Sequence, residues 1–149
     1  YWYKQVGNHP CWWVDGEHIT MNFGLPGPNR YTLVRLRYDG EGLAPLTSVP
    51  GTGHPTLHRD GRHILTDTYQ GELPGYEDGT VPLRWIDTTT NSERTLVRIG
   101  CRPAYMAPGY ALRLDAHPAW DRTYTRVAFN ACPDGTRQVF VADIPPELF

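Results

Sequence analysis

Lysine is almost missing from this chain: of 14 basic residues only Lys4 is a lysine, and the rest are arginines. With 16 acidic residues against those 14, no excess of positive charge suggests a nucleic-acid or anionic-membrane partner. No apolar run approaches the roughly 18 to 20 residues of a membrane helix. The opening Tyr1-Trp2-Tyr3-Lys4 does not read as a signal peptide, which leaves the compartment open. Cysteine is scarce too. Cys11, Cys101 and Cys132 are too few and too scattered for a disulfide framework or a CxxC metal site, and read as buried or partly buried free thiols, with one disulfide as the lesser alternative. Serine is limited to Ser48 and Ser92, and no GxSxG elbow is present, which counts against a serine hydrolase. No window of useful length places apolar residues at i, i+3, i+4 and i+7, so no amphipathic helix is predicted. The chain is still 40% hydrophobic with a net charge of only −2, a composition that folds around a core.

What is present is a repeat. His9 to Phe23 reads HPCWWVDGEHITMNF, His54 to Thr68 reads HPTLHRDGRHILTDT and His117 to Ala131 reads HPAWDRTYTRVAFNA, aligned without gaps. Each opens on His-Pro, passes a polar turn and ends in an alternating strand. The Asp15-Gly16 and Asp60-Gly61 turns are hairpin signals, whereas Thr123-Tyr124 in the third unit predicts a different turn. A third strand follows in each unit, at Tyr31 to Tyr38, Val81 to Asp87 and Gln138 to Ile144, with aspartates Asp39, Asp87 and Asp143 at or near its end. The first two units add a fourth strand near Leu43 to Val49 and Thr95 to Gly100. The last has none and meets Pro145-Pro146. Repeats of roughly 40 to 50 residues with four antiparallel strands predict an all-β chain of β-propeller blades. Units at about 9–49, 54–100 and 117–144 then make residues 1–149 a partial propeller of three blades, from a ring of six to eight, with residues 1–6 as the tail of a preceding blade.

The unit pattern resembles the TolB-type propeller repeat. It consists of His-Pro-x-Trp, an Asp-Gly turn, a short strand such as Val127-Ala128-Phe129-Asn130, then Asp134-Gly135-x-Arg137-Gln138-Val139-Phe140-Val141-Ala142-Asp143. The usual Ser-Pro is replaced by Trp13-Val14, His58-Arg59 and Asp121-Arg122. The His-Pro opening of each unit is similar to the oligogalacturonate lyase group, whose metal site near the central axis is built largely from histidines. That resemblance implies a lyase acting on uronate-containing glycans with a divalent metal, with Mn, Ca and Zn not distinguished.

Blade geometry places His9, His54 and His117 at the top of three successive inner strands. Two readings stand. The imidazoles form a divalent-metal ring, which Asp67 or Asp115 would orient or complete, or each His-Pro is a strand-starting device whose proline holds the histidine extended. Asn22, Asp67 and Asn130, thirteen positions after the three histidines, approach the same face. His58 reads as an exposed turn residue, and so do His18 and His63, because Arg126 occupies their place in the third unit. Trp12 and Trp120 read as core between blades.

The connection 101–116 is a long loop on the top face. On it Arg113 and Tyr110 are candidates for carboxylate binding and proton transfer, and Arg102 and Tyr105 for substrate contact, joined elsewhere by Asp67 and Arg30. The reading is a metal-dependent lyase working by β-elimination. The alternative is a non-catalytic TolB-like propeller that binds a protein or glycan on its top face. In either case the remaining blades come from a longer chain or a second subunit.

Overall fold

The computed structural model describes residues 7–29, 31–72, 76–105, 108 and 112–149. Among these residues eleven strands form three antiparallel sheets. The first contains β1 (Gly7–Trp12), β2 (His18–Phe23), β3 (Tyr31–Arg37) and β4 (Ala44–Gly51) in chain order. The second contains β5 (Thr56–Leu57), β6 (His63–Thr66), β7 (Thr80–Asp87) and β8 (Ser92–Gly100), and the third β9 (Ala119–Trp120), β10 (Arg126–Ala131) and β11 (Gln138–Asp143). Three meanders of four, four and three strands are propeller blades. Among the described residues the third blade has no outer strand, as the repeat predicts, and Val139 and Val141 of β11 are exposed. A 3₁₀ turn at Pro146–Leu148 follows, and no α-helix occurs among the described residues, so none is long and apolar enough to cross a membrane.

The middle blade is buried on both faces, and its sequence shows why. Strands β6 and β7 are buried almost throughout, with isoleucine, leucine, valine and tryptophan on both faces, so neighbouring residues serve opposite sides. Ile64 and Ile86 join Leu33 and Val49 of the first blade, while Leu65, Leu83 and Trp85 join Val127, Ala131, Leu114 and Ile144 on the third-blade side. Arg84 shares the Ile86 face and is itself buried; it pairs with Glu93 and donates to the Pro50 carbonyl of β4, 3.0 Å away. All three cysteines are free, Cys101 and Cys132 buried and Cys11 partly so.

Each inner hairpin turn is built alike. The residue after the first strand, Trp13, His58 or Asp121, donates its N–H to the carbonyl five residues on and accepts one from the third residue on. That third residue needs a left-handed backbone, and Gly16 and Gly61 supply it at φ 70° and 68°. Tyr124 occupies the same place at φ 60°, so the third turn is not different in backbone as its sequence predicts. Its aspartate has moved instead. Asp121 Oδ1 accepts from Thr125 and Arg126, the two N–H groups that Asp15 and Asp60 accept in the other units.

Several expected exposures are reversed by packing. His58 is buried, not a surface residue, because Trp120, Tyr124 and Phe149 surround it at 5.2, 5.4 and 4.5 Å between ring centroids. His63 is buried as well and stacks on Trp85 at 4.8 Å; the equivalent His18 stays partly exposed. Trp120 packs back on Trp85 of the preceding blade, 5.9 Å away. Trp12, predicted as core by the same position, is 61% exposed, because no preceding blade exists among the described residues. Its neighbour Trp13 packs on the first core instead.

Candidate metal centre

The His-Pro segments lie within β1 and immediately before β5 and β9, and the three blades bring them to one point. His9, His54 and His117 each offer a ring nitrogen within 4.8 Å of the others. Ring centroids are 4.2 Å apart for His9 and His54, 5.9 Å for His9 and His117, and 3.4 Å for His54 and His117, which stack. His54 is buried, His9 half-buried and His117 exposed, so the cluster opens to solvent on the third-blade side.

The strand-starting reading fails at two of the three positions. Instead of the extended backbone that a following proline favours, His9 and His117 have φ of 52° and 48°. Non-glycine residues rarely adopt this region, and such strain concentrates where side chains are held for a task. In the second unit the left-handed residue is Gly53, immediately before His54, with φ of 66°.

Asp67 is the strut beneath the ring. Fully buried, it accepts from the His54 N–H at 2.7 Å through Oδ1 and from the His117 N–H at 3.0 Å through Oδ2, linking two blades. Both its oxygens also lie near His54 Nδ1, at 2.9 and 3.0 Å. Burial pushes the Asp67 carboxyl up, but hydrogen bonds and charge from His54, with the His117 and His54 N–H groups, outweigh it and hold it below the usual carboxylate value. An ionised Asp67 makes His54 Nδ1 the protonated nitrogen and leaves Nε2 with a free lone pair. Asn22 holds the equivalent position one blade earlier, but as a donor, to Asn8 Oδ1 beside His9 at 3.0 Å and to the Gly53 carbonyl at 2.8 Å. Asn130 donates to the Asp115 carbonyl at 3.2 Å.

His9 and His117 are held below the ordinary imidazole value, first by burial and then by neighbouring histidines. Both are therefore neutral at physiological pH, as ligands must be. Three imidazoles with an open side fit a divalent cation.

Tyr69, which the sequence reading missed, is hydrogen-bonded to His9 Nε2, with its ring 5.1 Å from that of His54. Burial, with Asp115 and Asp67 nearby, pushes its phenol up to about 12. No repeat signal marks it, because Gly24 and Cys132 occupy its place in the other units.

Arg113 is half exposed, with Nε 2.9 Å from Asp115 Oδ2 and its guanidinium 5.8 Å from the Tyr69 ring centroid. Together with Asp115, His117, Asn130 and Arg137 it lines an open cavity of about 430 Å³ beside the ring. Arg137, which the sequence reading placed only in the repeat pattern and not at the site, donates to the carbonyls of Leu112 and Tyr105 and so ties down two points within the 101–116 loop. Tyr105 is exposed and Arg102 lies against Gly79; neither shares a hydrogen bond or ring contact with the three histidines. Tyr110 and Arg30 lie outside the described residues.

The fold and the cluster together define the class: part of a β-propeller, three blades with histidines converging at the inner strands. Two solved structures give the particular likeness. An oligogalacturonate lyase in complex with manganese superposes with a TM-score of 0.71 at 17% identity, over 95% of this chain and 36% of that one. The oligogalacturonate lyase of Vibrio parahaemolyticus does so with a TM-score of 0.73 at 16% identity, over 96% of this chain and 37% of that one. The chain thus spans little more than a third of either. In sequence, no family model and no curated protein matches it.

Proposed function

We propose that the chain is part of a metal-dependent lyase that cleaves uronate-containing polysaccharides or oligosaccharides by β-elimination. The observation that carries this reading is the convergence of His9, His54 and His117, one from each blade, over the Asp67 strut. The likeness to a lyase bound to manganese supports a divalent cation and a uronate substrate as first candidates. His9, His54 and His117 would hold the ion. A bound divalent cation would stabilise the enolate charge that develops when the proton beside the uronate carboxylate is removed.

The chain's own groups account for orientation and binding. Asp67 fixes the His54 ring and its tautomer. Asp115 holds Arg113 by Nε, which leaves the two terminal nitrogens at the cavity for a bidentate pair with a uronate carboxylate. Tyr110 remains the candidate for proton transfer, and Arg102, Tyr105 and Arg30 for outer substrate contacts. The rest of the ring comes from a longer chain or a second subunit, and completes a site of which these three blades hold one side.

Metal analysis tests the reading. Divalent metal retained by the chain falls by about one equivalent in His9→Ala/His54→Ala, and the complete propeller releases an ultraviolet-absorbing unsaturated product from a uronate polymer. Metal content unchanged by that double variant, with no unsaturated product from any uronate polymer, refutes it.

A further inference from the structure

A second convergence of ligating atoms lies at the other end of the inner strand of the middle blade. His58, Asp60 and His63, on the β5–β6 turn, each offer an atom within 4.8 Å of the others. Asp60 Oδ2 is 2.6 Å from His63 Nδ1 and 3.0 Å from His58 Nδ1. Four residues of extended chain separate His54 from His58, roughly 13 Å, so one ion cannot serve both clusters.

Half of this arrangement is architectural. In the first unit Asp15 Oδ1 accepts from the Glu17 and His18 N–H groups, and Oδ2 pairs with His18 Nδ1 at 2.8 Å. Asp60 and His63 repeat that turn lock. The His58 imidazole is an addition to that lock: the backbone hydrogen bonds of this position are made equally by Trp13 and Asp121 in the other units, where no imidazole stands.

That imidazole is nonetheless buried, 7% exposed, and its Nδ1 faces incompatible demands. Asp60 Oδ2 at 3.0 Å calls for a donor, while the Asp60 backbone N–H at 3.4 Å calls for an acceptor. One nitrogen cannot serve both. Trp120, whose ring meets that of His58 at 5.2 Å, has a buried Nε1–H with no partner among the described residues.

We propose that His58, Asp60 and His63 form a second metal site, separate from the histidine ring, for a transition-metal ion of the zinc class. Two imidazoles and one carboxylate suit zinc better than calcium or magnesium, which prefer all-oxygen shells. With the ion in place, His58 Nδ1 is a lone-pair donor and its conflict disappears. Three protein ligands leave a coordination position open, and a cavity of about 520 Å³ lined by His58, Asp60, Tyr124 and Phe149 gives access to it. An exogenous water or small anion there is the class of acceptor that Trp120 lacks.

The test is independent of the ring. The full chain, and the same chain carrying His9→Ala/His54→Ala, are titrated with Zn²⁺ and with Co²⁺ for its visible spectrum. His58→Gln lowers Zn²⁺ uptake by about one equivalent in both backgrounds and removes the Co²⁺ bands of the ring-disabled chain. Asp60→Asn retains an oxygen for the two turn N–H groups, gives the same loss, and serves where His58→Gln fails to fold. No Zn²⁺ bound by the ring-disabled chain overturns the proposal. So does uptake undiminished by both substitutions.

Discussion

Asp67→Ala is the most direct probe of how the blades hold the histidines. The substitution removes the acceptor shared by the His54 and His117 N–H groups and the partner of His54 Nδ1. Each buried N–H left without a partner costs about 1–3 kcal/mol, and relief of a buried carboxylate offsets part of the sum. The net loss is about 3 kcal/mol, a factor of about 100 in the folding equilibrium. Asp67→Asn keeps one acceptor oxygen but presents a donor to the second N–H, so it loses about half as much. Urea unfolding in chelator, followed by tryptophan fluorescence, measures both, and an unchanged slope assigns the difference to stability. A loss within about 0.5 kcal/mol of the parent for Asp67→Ala, or an Asn variant as unstable as the Ala variant, refutes the strut.

Gly53 lies against the same aspartate: an added Cβ would stand 2.2 Å from the Asp67 carbonyl oxygen, at φ of 66°. Gly53→Ala therefore lowers stability by more than about 3 kcal/mol, and a loss under about 1 kcal/mol in thermal unfolding would contradict that close approach. Hydrogen bonds from Arg62 hold Asp87 below its ordinary value of 3.8 in spite of burial. Its stabilisation is therefore fully present above that value and withdrawn as pH falls through the lower folded value. Asp87→Asn is less stable than the parent by about 2 kcal/mol at neutral pH, and the two unfolding curves converge in acid; a gap that stays constant with pH would show that the pair is not the cause.

The blades and the histidine ring were legible because both repeat in phase. His-Pro recurs at 9, 54 and 117, and an alternating strand follows each time. What repetition cannot express was missed. Tyr69 has no counterpart in the other units. The burial of His58 depends on Tyr124 and Phe149, far along the chain. Trp12 and Trp120 share a position, yet one is exposed and the other packs on Trp85, because exposure belongs to the neighbouring blade rather than the residue. The left-handed His9 and His117 went unseen because local preference favours extended backbone before proline, and the packing of the ring overrides it.

That backbone sets selection for stability against selection for chemistry. Glycine at position 9 or 117 would relieve a left-handed strain of about 1–2 kcal/mol and would remove an imidazole from the ring. A library screened only for thermal tolerance would therefore enrich glycine at these two positions and discard the cluster. A screen that also demands metal retention would keep histidine there and collect its stabilising changes elsewhere, in the two cores between the blades.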